Sequence, residues 1–137
     1  MDCIFCKIAN GEIDSAKVWE SEKVFAFLDV SPLTKGHCLV IPKDHFENIF
    51  DIDEGVLKEI VSTAKNISNK MKNSLGAAGV NLVNASGKTA EQSVFHFHLH
   101  VVPRYENDGL KMDDWWQEKS QKSDIGELKK IAEDIKN

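Results

Sequence analysis

The stretch from Asp53 to Leu75 sets what the chain can build. Apolar residues fall at Val56, Leu57, Ile60, Val61, Ala64, Ile67, Met71 and Leu75, close to the 3.6-residue period of one helix face. Asp53 suits an N-cap and Gly76 a C-terminal stop. A long amphipathic helix needs an apolar surface to cover, and most of the remaining chain reads as strands. "AKVWES", "KVFAFLD" and "HCLVIP" precede the helix, connected by "SEK" and "SPLTKG". "GVNLVN" and "SVFHFHLHVVPR" follow it, joined by "ASGKTAEQ". Links this short favour antiparallel pairing. The expected class is α+β, with an antiparallel five-stranded sheet, one long helix and short terminal helices. The short helices are "CIFCKIANG", ending near Gly11, then "DDWWQEK", then Asp124 to Ile135 with Ile125, Leu128, Ile131 and Ile135 on one side.

Residues 96–102 read "HFHLHVV", which places three of the five histidines at every second position. Alternation with apolar residues is a strand pattern. Successive side chains of a strand point to opposite faces, so His96, His98 and His100 share one face at steps of about 6.5–7 Å. Phe95, Phe97, Leu99 and Val101 are expected to face a core.

A chain of 137 residues suits one domain. Its net charge of −5 argues against nonspecific nucleic-acid binding, which needs a basic surface. It leaves room for a nucleotide, since one phosphate site can be local. The start "MDCIFCKIANG" has no basic segment followed by an apolar run. No stretch is apolar enough to span a membrane. Three cysteines and no secretion signal point to a reducing cytoplasm, without a disulfide framework.

The histidine row admits three readings: hydrogen-bonded structural residues, ligands for a metal, or a neutral imidazole nucleophile with neighbouring donors. Spacing alone does not choose. "NASGKTAEQS" upstream supplies Asn84, Ser86, Gln92 and Ser93, a neutral set suited to orienting a phosphate without a fixed metal.

The runs "QSVFHFHLHVVPRY", "FLDVSPLTKGHCLVIPKDH" and "CIFCKI" resemble, in one collinear order, the histidine triad (HIT) family. The bacterial Hit and Hint-like nucleoside phosphoramidase branch is nearest. The resemblance covers about residues 3–105, with 106–137 as an extension of a single HIT domain. It implies a nucleotide hydrolase or transferase that cleaves a nucleoside 5′-phosphate from its leaving group through a nucleotidyl-histidine. A purine nucleoside phosphoramidase is expected first. The alternatives are a dinucleoside polyphosphate hydrolase and a noncatalytic nucleotide- or zinc-binding interaction protein. By resemblance His98 is the nucleophile, His100 a donor to phosphate, and His37 a support for the row. Asn84, Gln92 and Ser93 contact phosphate and leaving group, and Ser93 passes a proton to a departing amine. Asp29 binds the ribose hydroxyls. Phe5, Ile8, Phe27 and Val30 surround a purine base. Family members are commonly homodimers.

Cys3 and Cys6 have zinc-ligand spacing, but two ligands do not make a site. The resemblance implies that His45 and His96 complete a structural zinc set, with no metal in the chemical step. Cys38 lies in an apolar run and is expected in the core. Two features depart from the family pattern. Glu91 stands where many relatives have glycine, and an acid there would favour cationic leaving groups. Trp115 and Trp116 lie beyond the shared core, against a leaving group, a dimer partner or the monomer's own core.

Overall fold

The computed structural model describes residues 2–137. Its order is α1 (Ile4–Ala9), β1 (Lys17–Glu20), β2 (Val24–Leu28), β3 (Cys38–Pro42), α2 (Glu54–Leu75), β4 (Gly79–Val83), β5 (Leu99–Arg104), α3 (Asp114–Lys119) and α4 (Ile125–Lys136). The five strands form one antiparallel sheet in the order β1-β2-β3-β5-β4. It is the α+β fold the strand and helix patterns imply.

The helix ends follow their local chemistry. Asp53 accepts a hydrogen bond from Val56 N at the start of α2, and Gly76 closes it in the left-handed conformation. The face carrying Val56, Ile60, Ala64, Ile67 and Met71 packs on Val24, Ala26, Cys38, Val40, Phe97, Leu99 and Val101 of the sheet. The opposite sheet face is covered by α1, where Phe5, Ile8 and Ala9 meet Phe25, Phe27, Leu39 and Ile41. The short helix near the N-terminus and the long helix therefore sandwich the sheet. No helix among the described residues is long and apolar enough to cross a membrane.

One row of paired residues crosses the sheet: Phe27 opposite Leu39, Leu39 opposite His100, and His100 opposite Val83. Residues paired across strands share a face, so His100 lies on the α1 side of the sheet.

The structure shortens the strand expected over "SVFHFHLHVVPR" to Leu99–Arg104. Ladder pairing begins at Leu99, and His96 and His98 precede it. The register that pairs Val40 with Leu99 would, carried on, set Pro42 opposite Phe97. Proline has no N–H to give the ladder. Phe97 N donates instead to Phe46 O, at 2.7 Å. The alternation of side chains survives, because His96, Phe97 and His98 are all buried and Phe97 stays on the α2 side. Phe95 does not: it is 41% exposed, a correction to its expected core position, because it falls in the bend before the segment meets the sheet. The tryptophans are likewise not core. Trp115 and Trp116 are 72% and 67% exposed, stacked on each other with ring centroids 6.3 Å apart.

Candidate functional site

The segment before β5, the start of β5 and the loop before β3 bring four of the five histidines into two adjoining groups around His98. The His37, His96 and His98 rings each have a backbone partner that assigns the proton, because a carbonyl only accepts and an amide N–H only donates, and His100 takes its assignment from His37.

His98 Nδ1 lies 2.8 Å from His96 O. The nitrogen must carry the proton, which leaves Nε2 with a bare lone pair. The backbone around it is pinned as well: Asn84 Nδ2 donates to His98 O at 2.9 Å, and Ser86 Oγ donates to Asn84 Oδ1 at 2.7 Å. The His98 and His100 rings meet edge-on with centroids 5.0 Å apart.

The second group runs from a backbone amide to His100. Leu33 N donates to His37 Nδ1 at 3.0 Å. His37 then carries its proton on Nε2 and donates to His100 Nδ1, 2.9 Å away. His100 in turn carries its proton on Nε2, free to donate outward. Burial, and then the neighbouring His98 and His37 rings, push His100 down to about 4, against the opposing charge of Asp29. Burial lowers His37 too, with Asp29 again opposing. Both rings are therefore neutral donors near pH 7. The Asp29 carboxylate lies 3.8 Å from His37 Nε2 and accepts from Ser31 N at 2.8 Å. Gly36 sets up the turn into His37: its φ of +93° is a backbone that L side chains rarely adopt.

Donor atoms of Asp29, His37 and His100 lie within 4.8 Å of one another, which resembles a metal set. The hydrogen bonds argue otherwise. His37 Nδ1 already accepts from Leu33 N, so a bare Nε2 for a cation would require an imidazolate.

Cys3, Cys6, His45 and His96 form a different cluster, again with donor atoms within 4.8 Å. Cys3 Sγ and Cys6 Sγ lie 3.4 and 3.5 Å from His96 Nδ1, Cys6 Sγ lies 3.4 Å from His45 Nδ1, and the two ring nitrogens are 3.2 Å apart. Tetrahedral zinc with ordinary bond lengths needs edges of about 3.6 Å between sulfur and nitrogen and about 3.3 Å between nitrogens. His96 Nε2 faces Pro42 O at 2.8 Å, so its proton sits there and Nδ1 is bare toward the cluster, the outer support metal-bound histidines usually have. Burial holds the His96 ring down at about 4. The four residues fit zinc by geometry and by donor chemistry.

The other expected site residues divide. Phe5, Ile8 and Phe27 are buried together beneath α1. Phe5 meets His98 edge-on at 5.2 Å. Val30 is 94% exposed, and Ser93 is exposed as well. Gln92 is buried and engaged internally. Its amide donates to Glu47 O and Val94 O and accepts from Gly87 N, so it staples the loop. Glu91 adopts φ 68°, the backbone that glycine takes readily. Cys38 is fully buried, its thiol pushed up to about 12 by burial. Leu33 N and Pro42 O, which assign the protons of His37 and His96, carry no signal in the sequence. A cavity of about 870 Å³ runs along β4 from Asn81 to Asn84 and reaches Trp115 and Trp116.

Comparison with known proteins agrees with this geometry. The family model described as "HIT domain" matches residues 10–107. A HIT family protein from Bacillus anthracis has a solved structure that superposes with a TM-score of 0.90 at 45% identity, covering 99% of this chain and 96% of that one. A zinc-bound histidine triad family protein from Mycobacterium smegmatis superposes with a TM-score of 0.78 at 37% identity, covering 82% and 81%. The adenosine 5′-monophosphoramidase of Candida albicans is 33% identical over 138 residues, covering 98% of this chain and 89% of its own length. With its histidine segment, its sheet order and these matches taken together, the chain belongs to the HIT domain family.

Proposed function

We propose that this chain is a nucleotide hydrolase that cleaves a purine nucleoside 5′-phosphate from an amine leaving group through a covalent nucleotidyl-His98. The observation that carries the reading is the His98 hydrogen bond to His96 O, which leaves Nε2 as a bare nucleophile on a ring held in place.

In the first step the Nε2 lone pair attacks the α-phosphorus, a P–N bond to His98 forms, and the bond to the leaving amine breaks. Ser93, at the surface, passes a proton to the departing amine. In the second step water attacks the phosphorus and returns a proton to Ser93, the bond to His98 breaks and the nucleoside monophosphate leaves. Splitting one displacement in two lowers each barrier. His100 Nε2–H donates to a nonbridging phosphate oxygen in both steps, where fixed donors stabilise the developing charge. His37 holds His100 in the donating tautomer. Asp29 accepts from the ribose hydroxyls. Phe5, Ile8 and Phe27 give the base an apolar wall, closed at the rim by Val30, while Asn84 and Gln92 keep the phosphate loop in shape.

Cys3, Cys6, His45 and His96 would hold a structural zinc. It ties α1 to the sheet and takes no part in the chemical step. The relative named as an adenosine 5′-monophosphoramidase supports the amine leaving group, and the zinc-bound relative supports the metal. The active unit is proposed to be a cytoplasmic homodimer.

The test follows AMP release from adenosine 5′-phosphoramidate and from diadenosine tetraphosphate, with this chain beside His98→Ala, with and without chelator. Turnover of the phosphoramidate that continues in chelator, slower but not abolished, and that falls about 10³-fold or more in the variant, is expected. Turnover of the dinucleotide alone would reassign the leaving group. No turnover with tight AMP binding would replace the enzyme by a binding protein.

A further inference from the structure

The cysteine-histidine cluster and the His98 nucleophile differ in chemistry, yet two links join them. His96 is one: its ring Nδ1 belongs to the cluster, and its backbone oxygen accepts the His98 proton. Phe5 is the other. It lies in α1 between Cys3, the helix N-cap, and Cys6. Its ring stands edge-on to His98, with centroids 5.2 Å apart and planes at 83°, and edge-on to His96 at 6.0 Å and 79°. Phe27 backs it from the sheet at 5.6 Å, and Phe5 is buried.

The hydrogen bond at Nδ1 fixes one corner of the His98 ring. Rotation about the outer torsion of histidine is soft, so that bond alone allows the ring to swing. The Phe5 edge blocks the swing. A helix of six residues does not stand alone in water, and α1 is anchored at its first turn by the two cysteines. We propose that Phe5 is a positioning residue for the His98 imidazole, and that the Cys3/Cys6/His45/His96 cluster influences the reaction through it. The proposal rests on the reading of His98 as the nucleophile. Misplacing a reacting group by about 1 Å can lower its rate on the order of 10²-fold.

The test uses Phe5→Leu, which stays apolar but removes the ring, with Phe5→Met as a second variant if the first does not fold. Phe5→Tyr keeps the ring. Substrates are adenosine 5′-phosphoramidate and ribose 5′-phosphoramidate, which has no base. Expected is a fall in kcat of about 10–100-fold on both substrates, with KM within about threefold on the substrate that has no base, and recovery of kcat in Phe5→Tyr relative to Phe5→Leu. A defect seen in KM alone, or only with the substrate that has a base, would overturn the proposal and leave Phe5 as a base contact. Zinc removal by chelator is expected to lower kcat in the unaltered chain but little further in Phe5→Leu, since coupled changes do not add. Additive losses would contradict the link.

A second readout needs no turnover. The His98 Nδ1–H, held by His96 O, gives a slowly exchanging nitrogen-bound proton signal in ¹⁵N-labelled protein. It is expected to shift and weaken in Phe5→Leu and on zinc removal, and an unchanged signal in both would overturn the proposal. If no form turned over either substrate, the hydrolase reading would fall, and this signal would still decide whether Phe5 positions the ring.

Discussion

Lowering the pH from 7 to 5 is expected to remove about 1.5–2 kcal/mol of folding stability through His100 alone. An unfolded histidine takes its proton near pH 6.5, and the folded ring does so only near 4, because it is buried and faces His98 and His37. The unfolded chain therefore binds more protons between these values. Stability from this group is complete above about pH 6.5 and is lost as the pH falls toward 4. At pH 5 the unfolded ring is almost fully protonated and the folded ring about one-tenth so, which integrates to about 1.8 kcal/mol between pH 7 and 5. Partial exposure of the ring lets solvent screen part of this. The assay is urea unfolding at both pH values for this chain and for His100→Asn, whose amide oxygen still accepts from His37. The variant should lose less by the stated amount. Contributions from the cysteine-histidine cluster appear in both proteins and cancel. Equal losses, or a chain more stable at pH 5, would refute the assignment of His100 as a neutral buried donor.

Gly36→Ala should destabilise by about 1–2 kcal/mol, since the backbone there has φ +93°; urea unfolding measures it, and a change within about 0.5 kcal/mol would show that the turn relaxes freely. Asn84→Ala strips the side-chain donor from His98 O and should cost about 1–3 kcal/mol, read by the same unfolding experiment. Native mass spectrometry of protein purified without chelator should give one zinc per chain, and chelation should lower the melting temperature by at least about 5 °C. A zinc-free chain with an unchanged melting temperature would remove the structural-metal reading.

Periodicity carried the fold. The apolar positions of α2 were legible because a single helix face meets a single sheet face, and five of the eight, Val56, Ile60, Ala64, Ile67 and Met71, are buried. The start of β5 was not legible. Phe95 to His98 has a strand's alternation, but what ends the pairing is Pro42 on another strand, a tertiary fact. In the candidate site, side chains with distinctive chemistry could be picked out: the three histidines, His37, and the two cysteines that meet His45 and His96 from far along the chain. The groups that assign their protons could not, because Leu33 N, His96 O and Pro42 O are backbone atoms that any residue supplies. Gln92 shows the same limit. Its residue type suggested a phosphate contact, whereas its amide is occupied by Glu47 O, Val94 O and Gly87 N. Glu91 was legible as a departure, and its left-handed backbone explains why glycine suits the position.

The most direct test of the account is to mix the chain with excess adenosine 5′-phosphoramidate, quench in base within milliseconds to seconds, and map the adduct by mass spectrometry, since a phosphorus–nitrogen bond to imidazole survives base better than acid. The account predicts an adenylyl group on the peptide containing His98, located on that residue and absent from His98→Ala. Turnover with no adduct at any quench time, or an adduct on His96 or His100, would contradict it.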